Sequence, residues 1–243
     1  MTDMTRSNRA WPLLIAGLGG AIVGAAALQL ASGGLIGNDR SRTEAIVHDY
    51  ILSHPEILPE AMKRLQARET GSLVSNHRKA LETPFAGAWA GAAKGDVTLV
   101  MFTDYSCGYC RASVADVDKL LATDKGLKVV WREIPILGPG SEAAARVALT
   151  AARQGRYLDF HRRMFAEGPP DGASITRVGK ASGVTAVADA GGAIQGEIEN
   201  NLALARTLGM TGTPTFVIGD KILQGAVGYD ALKTAIAEAR KAG

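Results

Sequence analysis

The chain has 243 residues, 47% of them apolar, and its 27 basic and 24 acidic side chains leave a formal net charge of +3. That charge is too small to argue for a nucleic-acid partner, and no basic stripe interleaved with aromatics accompanies it. The apolar fraction suffices for a real core, and no repeat or low-complexity tract points to a solenoid or an unfolded chain.

The first feature in chain order is an uncharged stretch from Ala10 to Asn38, preceded by Arg6 and Arg9. An apolar run of about 20 residues can span a bilayer, and positive charge before it directs the rest away from the cytoplasm. Residues 1–37 therefore read as a signal anchor, with contact to the membrane through about 11–37. A cleaved signal ending near Leu28–Ser32 is the alternative, although the run exceeds the usual h-region. The GxxxG spacing of Gly20 and Gly24 reads as chance in so glycine-rich a segment, and no strand precedes it to make a nucleotide loop.

Residues 38–93 read as a helical segment. Ile46, Val47, Tyr50 and Ile51 share one helix face, and Ser53 is placed to cap a second helix with Pro55 and Glu56 in its first turn. Ile57, Leu58, Met62 and Leu65 continue an apolar stripe, and Leu73, Val74, His77 and Leu81 extend it until Pro84. Such a stripe needs a partner, and self-association is the favoured one.

From Asp96 the pattern changes. "VTLVMFTD" has the length and β-branching of a buried strand, and "CGYC" (Cys107, Gly108, Tyr109, Cys110) follows it directly. "RASVADVDKLLATD" then has helical spacing, and "LKVVWREIPIL" reads as a second strand. A strongly helical stretch opens at Ser141, its expected N-cap, and helical character runs to about Leu208 with a break at "PPDGAS". Thr215–Ile218 and Lys221–Gln224 form a hairpin across a Gly-Asp turn, and Tyr229–Arg240 is an amphipathic helix. This order implies a mixed sheet with helices on both faces and a helical insertion over about 141–206.

Two cysteines in an oxidising compartment ordinarily form a structural bridge. A bridge closing only Cys107 to Cys110 restrains the unfolded chain little, so its purpose lies elsewhere. The strand delivers Cys107 to the start of a helix, where unpaired N–H groups and the dipole favour a thiolate. Cysteines of CxxC pairs at helix starts titrate at roughly 3.5 to 7.5. Cys110 sits one turn on and can close onto the first sulfur. The expected chemistry is thiol–disulfide exchange, with Cys107 attacking, Cys110 resolving, and Gly108 and Tyr109 tuning the potential. "TGTPTF" places Thr213–Pro214 just before a strand, where a proline cannot donate to the ladder.

The segments "FTDYSCGYC" (102–110), 132–165 and 208–236 together resemble the DsbA-like branch of the thioredoxin superfamily, over roughly Lys94 to the end. "IVHDYILSHPEILPEAM" resembles the N-terminal region of ScsC-like exported members, some of which oligomerise through it. The resemblance implies an α/β thioredoxin-like domain over 94–243 carrying a helical insertion, preceded by the anchor or signal and a helical oligomerisation segment. It further implies a nucleophile at Cys107 and a substrate-facing loop with Thr213 before a cis Pro214. Glu133, if it points inward, would accept the proton of the resolving cysteine; a strand-end charge facing solvent is an equal alternative. Gly-Tyr between the cysteines and Thr before the proline resemble the isomerase DsbC, whereas a dedicated oxidase has Pro-His, and Tyr109 cannot supply the histidine's charge. The expectation is an envelope disulfide isomerase, with a dithiol oxidase as the alternative. Its substrates would be exported cysteine-containing proteins, and its partners a membrane redox protein and further copies of itself.

The remaining chemistry is sparse. His48, His54, His77 and His161 show no ligand spacing and read as surface or packed helix residues. No cofactor and no structural metal is called for, since a closed zinc site wants four ligands. Cu(I) held by Cys107 and Cys110 is the remaining alternative. Asp104 and Tyr105 sit beside the motif, where a turn role is the simpler account.

Overall fold

A computed structural model describes residues 39–185 and 189–242. The expected anchor or signal over 1–37 lies outside the described residues. Among the described residues, no helix is long and apolar enough to cross a membrane. The chain divides into two compact units at Arg64–Leu65.

In the first unit, helix α1 covers 39–53. Its apolar residues Ile46, Val47, Tyr50 and Leu52 are exposed, as are Leu58 and Met62 at the start of α2 (Ile57–Glu82). Ser53 does not cap α2. It ends α1, and its hydroxyl donates back to the Asp49 and Tyr50 carbonyls at 2.7 and 3.1 Å. A serine hydroxyl serves the helix that precedes it as readily as the one that follows. Pro55 and Glu56 form the turn between the helices.

The second unit is built on a five-stranded mixed sheet in the order β1-β3-β2-β4-β5. Strand β2 (Val97–Thr103) runs parallel to β3 (Leu127–Glu133) and antiparallel to β4 (Thr215–Ile218). β4 pairs antiparallel with β5 (Lys221–Gln224), as the hairpin pattern predicts. The edge strand β1 (Trp89–Gly91), which the sequence reading missed, pairs antiparallel with β3. Three residues are too few to show a period. Gly91 adopts φ +89°, and a Cβ there would meet the Leu127 carbonyl oxygen at 2.3 Å, so only glycine fits this edge.

Alternation along the strands divides the core in two. Leu99 and Met101 of β2 face a cluster with Val129 and Trp131 of β3, both cysteines, and the helices α3 (Gly108–Thr123), α4 (Pro139–Arg153), α5 (Tyr157–Glu167) and α8 (Tyr229–Ala242). Val100 and Phe102 face Val74 and Leu81 of α2 and Ala205 of α7 (Ala193–Thr207). Burial on both faces explains why the central strands read as continuous apolar runs.

The helical insertion comprises α4, α5, α6 (Gly172–Ala181) and α7, with a short 3-10 turn at Ala190–Gly192. Helix α4 starts at Pro139, so Ser141 stands inside its first turn rather than at the cap. Proline's fixed φ and missing N–H suit the first helical position. The "PPDGAS" break begins a helix: Asp171 caps α6, accepting from the Ser174 N–H at 2.6 Å while the Ser174 hydroxyl accepts from the Asp171 N–H at 2.8 Å.

Arg132, near the end of β3, is buried against α2 and α7. Its guanidinium donates to the carbonyls of Ala80, Leu81 and Thr83 and to Glu197 and Asn201. It thereby closes the C-terminal end of α2, whose last carbonyls have no helical donor.

Candidate redox site

β2 ends at Thr103, and the chain turns through Asp104–Ser106 into α3. Cys107 is the N-cap of α3, with φ −81° and ψ 115°, and its Sγ accepts the backbone N–H of Cys110 at 3.2 Å. The Cys107 N–H donates to the Asp104 carbonyl at 3.1 Å. Both cysteines are unbridged. Cys107 is 5% exposed and Cys110 is fully buried. Apart from its chain neighbours and its own helix backbone, no atom lies within 4 Å of where a Cβ on Gly108 would stand.

The loop before β4 lies against this pair. The Thr213–Pro214 peptide is cis, and the Cys107 thiol donates to the Thr213 carbonyl at 3.2 Å. Burial pushes the Cys110 thiol up to about 12, reinforced by Cys107; the Asp104 backbone and the Thr213 side chain oppose the rise. Thr213 thus holds the Cys107 sulfur through its carbonyl, while its side chain tempers the rise of the Cys110 thiol. The structure brings together Cys107, Gly108, Tyr109, Cys110, Thr213 and Pro214.

Glu133 points inward. It is fully buried, and its Oε1 accepts from the hydroxyls of Tyr105 at 3.1 Å and Tyr157 at 2.6 Å. Its Oε2 has no hydrogen-bond partner. Burial pushes its carboxyl up to about 8, against the opposing pull of the two phenols and with a small addition from Asp104. Glu133 meets the cysteines through the aromatic packing around Tyr105, which shares their core cluster. His161 joins that packing, its Nδ1 3.1 Å from the Tyr105 hydroxyl, and burial holds it neutral, down to about 3. Tyr157 and His161 were invisible as site neighbours because nothing local in sequence links α5 to the CxxC turn.

Asp104 has the turn role expected of it, at greater scale. Its buried carboxylate accepts four hydrogen bonds: from the Ser106 N–H (2.8 Å), the Ser141 hydroxyl (2.6 Å), and the N–H groups of Ile136 and Leu137 (2.8 and 3.0 Å). One side chain therefore ties the redox turn, the segment after β3 and the first turn of α4. Among the described residues, no group of three or more His, Cys, Asp or Glu is placed to hold a metal ion.

Comparison with known proteins follows the same outline. Residues 98–237 match the DSBA-like thioredoxin domain, and residues 39–70 match the copper resistance protein ScsC N-terminal domain. The catalytic domain of Proteus mirabilis ScsC is 30% identical, with 70% of this chain and 98% of that one covered and a TM-score of 0.65. The thiol-disulfide exchange protein alpha-DsbA2 from Wolbachia pipientis is 30% identical, with 72% and 97% covered and a TM-score of 0.67. A periplasmic thioredoxin-like protein from Salmonella enterica serovar Typhimurium is 31% identical, with 68% and 95% covered and a TM-score of 0.63. Among curated proteins, the Na(+)/H(+) antiporter NhaA 3 of Salinispora tropica is 28% identical over 158 residues, 61% of this chain but 24% of that protein. The chain spans about a quarter of the length of the curated relatives it matches. With an N-capping cysteine, a sealed partner one turn on and a facing cis-proline loop on a five-stranded mixed sheet, the chain belongs to the DsbA-like thioredoxin family, and its domain is of the thiol–disulfide oxidoreductase type.

Proposed function

We propose that the protein is a thiol–disulfide oxidoreductase of isomerase character acting on exported proteins, with Cys107 attacking and Cys110 resolving. The asymmetry of the pair carries this reading. Cys107 caps a helix and keeps 5% of its surface exposed, whereas Cys110 is fully buried and its thiol is pushed up to about 12. The Cys107 thiolate attacks one sulfur of a substrate disulfide; that S–S bond breaks, a mixed disulfide forms, and the other substrate sulfur leaves as a thiolate that takes a proton. Cys110, protonated near neutral pH, is slow to attack Cys107. The freed substrate thiol then has time to attack a second substrate disulfide, and a later substrate thiolate displaces Cys107 with no net electron transfer. Rapid resolution by Cys110 would instead reduce the substrate by two electrons.

In this reading Gly108 and Tyr109 set the potential, and Thr213–Pro214 offer the backbone edge to an extended substrate. Glu133 is the proposed acceptor of the Cys110 proton. Held near 8, it is a stronger base than an ordinary carboxylate, yet it carries its own proton over most of the neutral range. The domain plan belongs to the proposal too: an anchor or signal over 1–37, a helical arm within 38–93 that joins copies through Ile46, Val47, Tyr50, Leu58 and Met62, and the redox domain over 94–243. So does an envelope location, supported by the periplasmic Salmonella relative, with a membrane-bound redox partner.

The test is refolding of a scrambled multi-disulfide protein by the reduced full-length chain without added oxidant. Recovery of native disulfides that needs Cys107 and survives Cys110→Ser supports isomerisation. Activity only as the stoichiometric oxidation of dithiols by the disulfide form overturns it in favour of an oxidase.

A further inference from the structure

The redox turn is tied to the helical insertion on both sides of its cysteines. Before Cys107, the Ser141 hydroxyl of α4 donates to Asp104 Oδ1 at 2.6 Å and lies 2.7 Å from the Ser106 hydroxyl. Asp104 passes this hold to Cys107, because its carbonyl accepts the Cys107 N–H at 3.1 Å. The Tyr105 ring is packed by three side chains of α5, with Phe160, His161 and Phe165 at centroid distances of 5.9, 5.7 and 4.8 Å. After Cys110, Arg111 Nε donates to the Phe165 carbonyl at 2.9 Å. That carbonyl lies in the last turn of α5, where no helical N–H is left to take it. Asp104, Tyr105 and Ser141 are no more than 1% exposed, so water offers them no alternative partner.

We propose that the helical insertion clamps the CxxC turn from both ends and thereby sets the redox equilibrium of the pair, with Ser141 and Arg111 as positioning residues. A disulfide fixes the separation and torsion of its two sulfurs, whereas a dithiol fixes neither. A turn held at both ends favours the disulfide, because α4 and α5 already supply the order that the bridge requires. Loosening either end costs the disulfide form more than the dithiol form, and the pair becomes a stronger oxidant. A merely structural tie would weaken both forms alike and leave the equilibrium where it was. The proposal rests on the reading of Cys107 and Cys110 as an exchanging pair and deepens it.

The test equilibrates the full-length chain with mixtures of reduced and oxidised glutathione and reads the forms by acid trapping and mass spectrometry. One oxidised glutathione loses its S–S bond and leaves as two thiols, while the Cys107–Cys110 bond forms and two electrons pass to glutathione. Ser141→Ala removes the hydroxyl and no charge. It is expected to lower the equilibrium constant for the disulfide about fivefold, or about 20 mV toward the oxidant side. Arg111→Lys keeps the positive charge beside the pair and loses the Nε donor, with an expected fall of about threefold. The double variant multiplies the two to about fifteenfold. Ser174→Ala opens the capping box of α6 elsewhere in the insertion and serves as the control. It should lower stability in urea and leave the constant unchanged. An unchanged constant in both Ser141→Ala and Arg111→Lys, or an equal fall in Ser174→Ala, overturns the clamp and leaves the exchanging pair standing. A parent chain that forms no disulfide at any glutathione ratio overturns the exchanging pair, and the clamp with it.

Discussion

Replacing Glu133 with glutamine isolates the most unusual titration in the core. Glutamine keeps the size of the side chain and an oxygen for the hydroxyls of Tyr105 and Tyr157, but it cannot ionise. An unfolded glutamate titrates at 4.5, whereas the folded one is pushed up to about 8 by burial. The folded state therefore binds the proton more tightly. The stabilisation is complete below 4.5 and is lost as pH rises through 8. Between pH 6.5 and 8 the unfolded chain stays deprotonated while the folded chain gives up about half a proton, which integrates to a loss of about 1.6 kcal/mol. The window is chosen to be clean. His161, held down to about 3, is neutral in the folded state and loses its proton near 6.5 in the unfolded state, so its contribution lies mostly at lower pH, has the opposite slope and is shared by parent and variant. Cys110, moved from 9.0 to about 12, contributes chiefly above 9. The assay is urea unfolding at both pH values with a phosphine reductant. The parent should lose about 1.6 kcal/mol more than Glu133→Gln across the window. Losses equal to within about 0.5 kcal/mol would refute a protonated Glu133 in the folded core.

Four further outcomes are expected. Asp104→Ala leaves the N–H groups of Ser106, Ile136 and Leu137 without their acceptor and takes one of two acceptors from the Ser141 hydroxyl, and should destabilise by about 3 to 5 kcal/mol in urea unfolding. Cys110→Ser should accumulate a mixed disulfide with substrate, visible by mass spectrometry, while Cys107→Ser should form none. Thr213→Val removes the hydroxyl that opposes the rise of the Cys110 thiol, so resolution of that mixed disulfide should slow severalfold in stopped-flow chemical quench. Leu58→Asp with Met62→Asp places charge on the exposed arm stripe and should lower the mass measured by light scattering if the arm joins copies. An unchanged mass would remove the arm from the assembly.

What could be read from sequence was local. β2, β3 and the β4–β5 hairpin announced themselves through length and β-branching, and the hairpin bounds agree residue for residue. The CxxC turn and Thr213–Pro214 were visible because their residue types have few other uses. β1 escaped because "WAG" carries no period and takes its place only by pairing with β3. Ser53 and Ser141 misled for one reason: a hydroxyl before a helical run satisfies whichever backbone or carboxylate lies nearest in space. The direction of Glu133 was undecidable from "VVWREIP", since both Arg132 and Glu133 are buried and only their partners on α2, α5 and α7 distinguish them. Ile136 and Leu137 read as the tail of a strand, because nothing in an apolar run announces which residues stay uncovered.

Those two neighbours on β3 face opposite layers of the molecule. Arg132 gathers the end of one long helix, while Glu133 backs the aromatic bed beneath the sulfurs. A single peptide bond is thus the shortest mechanical link between them. Any substitution that shifts the tip of this strand by a fraction of an ångström would be registered in both layers at once, so the stiffness of the helix anchorage and the behaviour of the thiol pair are not free to vary independently.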